Sequence, residues 1–121
     1  MSEAQLRRSV HGRVVVPPTD VPAEAAELVV RLEDVSRADA PSVVIAEHRQ
    51  QHVPLEAGSA VPFELDVPAE RVDPSSLYSL SAHVDASGSG EVEPGYLIST
   101  RSYPVLTRGY GDEVTVEVQR V

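Results

Sequence analysis

The stretch that most constrains the fold runs from residue 72 to residue 84. Its second half alternates between apolar and polar side chains, in the order Tyr78, Ser79, Leu80, Ser81, Ala82, His83 and Val84. Successive side chains of a strand point to opposite faces, so a period of two indicates a strand with one buried and one solvated face. The stretch therefore predicts a β-strand that contributes one face to the core.

A tight turn precedes this strand. Asp73 has a short side chain that can cap exposed backbone N–H groups, and Pro74 has the fixed φ of a first helical position. The spacing from Pro74 to Tyr78 resembles the tyrosine corner of Greek-key sandwiches, in which the Tyr hydroxyl ties the crossover loop to the following strand. We predict this role for Tyr78.

Other stretches of the chain alternate in the same way, and none carries a helical stripe. Strands are predicted over residues 10–16, 26–33, 42–50, 61–67, 78–84, 96–100, 103–107 and 114–119. Pro62 cannot donate to a ladder, which predicts that the fourth strand lies at an edge. Seven or eight short strands predict an all-β fold, a Greek-key β-sandwich of the immunoglobulin or fibronectin III type. Residues 1–8 are polar and are predicted to form a flexible N terminus before a single domain over residues 9–121.

Composition argues against several function classes. A chain of 121 residues forms one domain that buries roughly two-thirds of its unfolded surface. The net charge of −9, with all 10 basic residues being Arg, argues against nucleic-acid binding through a basic surface. Cys is absent, which excludes disulfides and thiol nucleophiles. No signal peptide, lipid-accepting Cys or apolar span is recognised, so we expect cytoplasmic localisation without membrane insertion.

The sequence predicts no catalytic, cofactor or metal site. His48 and His52 would lie roughly 13 Å apart on a strand that rises about 3.3 Å per residue, too far to share one ion. Asp34 and Asp39 flank a loop that contains Ser36, where capping of backbone groups fits better than acid–base chemistry. No Gly-x-Ser-x-Gly elbow is present. We therefore expect a protein that is not an enzyme.

Four blocks of sequence resemble a single family. They are LEDVSRADAP at residues 32–41, VPFEL at 61–65, VDPSSLYSLSA at 72–82 and YPVLT at 103–107. Together they are similar to the YbaY/YscW-like family, which includes the lipoprotein chaperones, or pilotins, of type III secretion. The resemblance implies a small β-sandwich with a protein-binding or chaperone-like role, and in pilotin members the partner is a secretin subunit. The lack of Cys departs from the lipid-anchored members, so the resemblance implies the fold without secretin delivery.

The partner surface is predicted in the C-terminal third. The segment 103–107 carries an apolar run with no charge before Arg108, and at a sheet edge it would be the strand most open to strand addition. The predicted partner-binding residues are Tyr96, Tyr103, Val105 and Leu106. Self-association through this segment would give a homo-oligomer. In the alternative interpretation, Val105 and Leu106 close the open end of the core.

The tyrosines support a second function from a different class. Tyr96, Tyr103 and Tyr110 all lie in the C-terminal third, and a shared aromatic surface there would suit a small ligand of the carbohydrate type. A small-ligand binding module is thus the alternative to a protein-binding domain.

Overall fold

Strands make up most of the fold. The computed structural model describes residues 7–19, 21–37, 39–86 and 97–120, with the side chain of Arg7 excepted. The strands are β1 (Arg7–Val15), β2 (Glu24–Asp34), β3 (Val43–Pro54), β4 (Ala60–Pro68), β5 (Tyr78–Asp85), β6 (Leu97–Ser99), β7 (Tyr103–Val105) and β8 (Glu113–Arg120). A single-turn 3₁₀ helix, Ala69–Arg71, follows β4. In the described part of the chain, no helix has the length and apolar character needed to cross a membrane.

The strands form one rolled, nearly closed sheet. Their order is β3-β2-β5-β6-β8-β1-β4, and β7 pairs with β5 beside β6. The first and last strands run parallel, from His11 beside Glu113 to Val15 beside Glu117. At Gly12 these two strands approach so closely that a Cβ atom would lie 1.7 Å from the carbonyl oxygen of Val114. Only a residue without a side chain fits there.

The predicted all-β class and strand number are confirmed, whereas the Greek-key sandwich of the immunoglobulin or fibronectin III type is not. A sandwich keeps its two sheets separate. Here β8 pairs with β1 along one edge and with β6 along the other. The backbone hydrogen bonds therefore join both layers into one barrel-like sheet.

The inner face of each strand fills the core as the alternation predicts. In β4 the buried residues are Val61, Phe63, Leu65 and Val67, with at most 8% exposure. The alternation of the second strand predicts Ala26, Leu28, Val30 and Leu32 on its buried face, but Ala25 rather than Ala26 belongs to the core. The neighbouring β3 is distorted at this place by a positive φ of 54° at His52.

The start of the domain also differs from the prediction. Arg7 and Arg8 were expected to lie in a flexible segment over residues 1–8, yet they begin β1 and pair with Pro68 and Val67. The backbone ladder to β4 orders them. Residues 1–6 lie outside the described part of the chain.

The tyrosine corner is confirmed. The ring of Tyr78 is 1% exposed. Its hydroxyl accepts a hydrogen bond from the backbone N–H of Asp73 at 2.8 Å and donates one to the carbonyl oxygen of Arg71 at 3.1 Å. The predicted cap is present as well, since the Asp73 carboxylate accepts from the Ser75 amide at 2.9 Å. These bonds fix the turn that connects β4 to β5.

Candidate partner-binding surface

The partner surface is predicted over residues 96–107, and the structure places the described part of it, residues 97–107, between β5 and β8 rather than at an exposed edge. Val105 and Leu106 are buried, with 1% and 6% exposure, and Tyr103 is half-buried. Tyr96 lies outside the described residues. The burial of Val105 and Leu106 agrees with the alternative interpretation, in which they close the core. The role of the four residues in partner binding stays a prediction, without the exposed edge that motivated it.

The Tyr103 side chain links the other side of β7, the side that faces away from β5, to β8. β7 pairs with β5 through Leu80 opposite Tyr103, and its other side faces β8. The Tyr103 hydroxyl accepts from the amide of Glu117 at 3.0 Å and donates to the carbonyl of the same residue at 3.4 Å. The side chain thus takes the place of a ladder bond between β7 and β8.

A bulge separates β6 from β7 and opens a shallow cleft. Leu80 and His83, three positions apart on β5, lie opposite Tyr103 and Ile98, which are five apart. The resulting cleft of about 310 Å³ is lined mainly by polar residues, Glu33, Ser79, Ser81, Ser99, Thr100, Arg101 and Ser102, together with Val35 and Leu80. The strands are held across the bulge by hydroxyls: Ser99 Oγ accepts from the Ala82 amide at 2.9 Å, and Ser79 Oγ accepts from the Tyr103 amide at 3.0 Å. This use of the hydroxyls is structural.

The sheet ends at β3 and β4. Among the described residues, no backbone hydrogen bond joins β3 to β4. The predicted edge position of the fourth strand is confirmed, and its exposed Pro62, Glu64 and Asp66 are the kinds of residue that protect an edge against unwanted pairing.

The inner face of β3 differs from that of every other long strand in the described part of the chain, because it is polar at its centre. His48 and Gln50 lie opposite Val30 and Leu28 of β2, and both of these β2 residues belong to the core. Since residues directly opposite in a sheet share a face, His48 and Gln50 also point to the inside of the barrel. Both are half-buried, and their side chains are 3.4 Å apart. The interior beside β3 is therefore less apolar than the rest of the core.

A second cleft lies at one end of the barrel, next to the start of β3. It has a volume of about 390 Å³ and is lined by Asp34, Ser36, Arg37, Ala40, Pro41, Val43 and Ser76. Val43 and its neighbour Val44 are exposed, at 57% and 45%. Val43 gives the cleft an exposed apolar surface of a kind that suits a protein partner. The side chain of Val44 points to the opposite face of β3 and is not part of the lining.

Three of the four blocks that resemble the family meet at this end. Residues 32–41 and 72–76 supply all the cleft lining except Val43. The third block joins through Thr107, whose hydroxyl donates to the carbonyl of Ser76 at 2.6 Å. The adjoining Arg108 donates to the carbonyl of Ser75 at 2.9 Å. We call this surface the end cleft.

The Asp34 carboxylate in the end cleft is a cap, as predicted. It accepts hydrogen bonds from the Ser36 hydroxyl at 2.6 Å and the Ser36 amide at 3.0 Å. These bonds hold the pKa of Asp34 below its ordinary value, which is the opposite of what a general base working near neutral pH requires.

The histidines lie on three different strands: His11 on β1, His48 and His52 on β3, and His83 on β5. His52 lies 3.8 Å from Glu24, and His11 lies 3.2 Å from Glu113. In the described part of the chain, no group of three or more His, Asp and Glu side chains could hold a metal ion.

A network of ion pairs covers the outer face of β2 and β3. Glu47 accepts from Arg31 at 2.7 Å and from Arg49 at 2.5 Å, and Arg49 also donates to Glu27 at 2.7 Å. Beneath it lies Val29, which is completely buried and sits opposite Arg49 in the sheet. The aliphatic stems of such arginines commonly cover apolar side chains while their charged ends stay in water.

His83 of β5 borders this network, opposite Val29. Partial burial lowers the pKa of His83, and the positive charges of Arg31 and Arg49 lower it further. Its neutral form is therefore favoured in the folded protein.

Comparison with known proteins gives this architecture a family. The family described as type III secretion system lipoprotein chaperone (YscW) matches residues 5–118. Among solved structures, the chain is similar to an alternative pilotin from the type II secretion system of Vibrio cholerae. The TM-score is 0.74 at 27% identity, and the match covers 93% of this chain and 95% of the pilotin. No curated protein matches the chain. The chain belongs to the YscW family of type III secretion system lipoprotein chaperones.

Proposed function

We propose that this protein is a non-enzymatic chaperone that binds a subunit of a bacterial secretion machine, with a secretin as the partner. The observation that carries the proposal is the family match over residues 5–118. The similarity to a type II pilotin along 93% of the chain supports it. Localisation in the cytoplasm, expected from the sequence, stays a prediction.

The end cleft is the surface that we propose for the secretin. It combines the exposed Val43 with hydrogen-bonding groups from Asp34, Ser36 and Arg37. Apolar contacts supply affinity in an interface of this kind, while polar groups at the rim orient the partner. The loops that form the cleft are also fixed in place, since the Ser36 hydroxyl accepts from the Leu77 amide at 2.8 Å.

The small-ligand alternative is less well supported. It rests on the tyrosines, and the hydroxyl of Tyr103 is already bonded to both backbone groups of Glu117. Tyr96, the second member of the set, lies outside the described residues.

A binding measurement with the secretin tests the proposal. The purified protein is titrated with fluorescently labelled segments of the secretin from the same genome, and anisotropy is recorded. We expect saturable binding that Val43→Asp weakens about tenfold or more, because a charge would enter the apolar surface.

Thr115→Asp on the exposed face of β8 is the matched control, and it should bind like the wild type. If no secretin segment binds the wild-type protein, the secretin proposal is wrong. If Val43→Asp and Thr115→Asp bind equally well, the partner contacts another surface.

A further inference from the structure

The free edge of β3 has regular strand geometry over part of its length, between a bulge at one end and a distorted residue at the other. At its start, Leu32 and Glu33 of β2 lie opposite Ala46 and Val44, so Ile45 is the extra residue of a bulge. The guanidinium of Arg71 donates to the carbonyl oxygen of Ile45 at 3.1 Å and occupies that position of the edge. At the other end, His52 has a φ of 54°. Residues 46–51 therefore remain in regular register, and in the described part of the chain no backbone hydrogen bond reaches their free side from β4, the strand that faces it across the gap in the barrel.

The charges on this stretch restrict which strand can pair with it. Glu47 and Arg49 lie opposite Arg31 and Val29 of β2 and point to the outer face, on either side of His48. Charged side chains on an edge strand disfavour pairing with a generic apolar strand. A strand that carries opposite charges in the reversed order would instead form favourable cross-strand pairs.

The same stretch of a second copy has that order. When two copies of β3 pair antiparallel about a two-fold axis perpendicular to the sheet, outer-face residues stay opposite outer-face residues. A two-fold at His48 places Glu47 opposite Arg49 of the second copy, and Arg49 opposite its Glu47. A two-fold at Glu47 or at Arg49 would instead place like charges opposite each other. Among these three registers, charge complementarity selects the one centred on His48.

We propose that two copies of this protein associate through β3, in an antiparallel ladder over residues 46–50 centred on His48. The ion pairs Glu27–Arg49 and Glu47–Arg31 within each copy would then connect across the two-fold into one network of alternating charge. This inference goes beyond the proposed function and does not depend on it, because it concerns a different surface and needs no secretin.

The register can be tested by crosslinking, since the chain contains no Cys. Directly opposite residues in an antiparallel ladder have Cα atoms about 4.5–5.5 Å apart, within the range that a disulfide requires. We expect the His48→Cys variant to form a disulfide-linked dimer under mild oxidation, seen by non-reducing electrophoresis. In the matched Gln50→Cys variant the two thiols would be roughly 13 Å apart along the strands, and no rapid crosslink is expected. Equal crosslinking of both variants, or of neither, overturns the proposed register.

The charge pattern can be tested in solution by sedimentation velocity. The wild-type protein should show a monomer–dimer equilibrium between low micromolar and submillimolar concentrations. Glu47→Arg and Arg49→Glu each place like charges opposite one another at two positions, so each should weaken the dimer about tenfold or more. An equimolar mixture of these two variants restores opposite charges at both positions and should form a heterodimer. Circular dichroism checks that both variants are folded.

Three results would contradict the proposal. The first is a wild-type protein that stays monomeric over the whole concentration range. The second is that the single variants dimerise as well as the wild type does. The third is that the mixture of folded variants shows no gain over either component alone.

Discussion

Removing the hydroxyl of Tyr78 gives a direct measure of how much the tyrosine corner stabilises the fold. Tyr78→Phe keeps the buried ring and its packing. It removes the acceptor for the Asp73 amide at 2.8 Å and the donor to the Arg71 carbonyl at 3.1 Å. The change therefore isolates two hydrogen bonds that hold the turn before β5.

The expected loss of stability follows from these two bonds. A typical intramolecular hydrogen bond contributes about 0.5–1.5 kcal/mol net, and a buried group left without a partner costs about 1–3 kcal/mol. Asp73 and Arg71 are exposed residues, so water can reach the groups that lose their partner, and the lower part of the range applies. We expect a loss of about 1–2 kcal/mol, equivalent to a decrease in melting temperature of about 4–8 °C for a chain of this length.

Thermal and urea unfolding, followed by circular dichroism, measure this loss. Tyr110→Phe is the matched control, because Tyr110 is 49% exposed and its substitution should change stability by less than about 0.5 kcal/mol. If Tyr78→Phe melts at the same temperature as the wild type, the hydroxyl does not stabilise the corner and the reasoning above is wrong.

Three further substitutions test other parts of the fold. Gly12→Ala should destabilise the protein by about 3 kcal/mol or prevent folding, because its Cβ would lie 1.7 Å from the Val114 carbonyl oxygen. Urea unfolding measures this loss of stability. A loss below about 1 kcal/mol would mean that β1 and β8 separate easily. Val105→Lys should abolish soluble expression or the folded circular dichroism spectrum, since Val105 is 1% exposed. A folded variant would mean that this segment is an exposed edge after all. The pKa of His83 is lowered from its ordinary 6.5. Its contribution to the free energy of unfolding is therefore fully present above pH 6.5 and is lost as the pH falls through the folded pKa. His83→Gln should make the free energy of unfolding, measured by urea titration, less dependent on pH below 6.5. If the variant shows the same pH dependence as the wild type, another group is responsible.

The features that could be predicted from the sequence are those set by local pattern. The alternation from Tyr78 to Val84 and the Pro74–Tyr78 spacing define β5 and its corner without knowledge of neighbouring strands. Pro62 identified β4 as an edge for an equally local reason, the lack of a backbone donor.

Pairing between distant parts of the chain could not be predicted in this way. An apolar run such as the one that contains Val105 and Leu106 would show the same sequence pattern in an exposed edge strand and in an interior strand. Its position follows from pairing with β5 on one side and from the Tyr103 hydroxyl, which bonds to β8, on the other. The parallel contact between β1 and β8 likewise leaves no periodic signal, although Gly12 in the middle of an alternating strand was a sign of close backbone approach.

The free edge of β3 did have a signal in the sequence. The third strand is predicted over residues 42–50, yet β3 continues to Pro54. His48 and Gln50 occupy positions that face the core in this strand. Polar residues at core-facing positions of an otherwise regular strand are typical of a sheet edge that neighbours do not cover.

The position of β1 between β4 and β8 has a consequence for synthesis of the protein on the ribosome. One edge of β1 can pair once the chain has been made through Pro68, but its other edge must wait for Glu113 and the residues after it, about 45 residues later. At a translation rate of about 5–20 residues per second, this edge stays open for roughly 2–9 s. During that interval the nascent chain exposes a strand whose partner does not yet exist, and general chaperones have their main opportunity to bind it before the last strand completes the sheet.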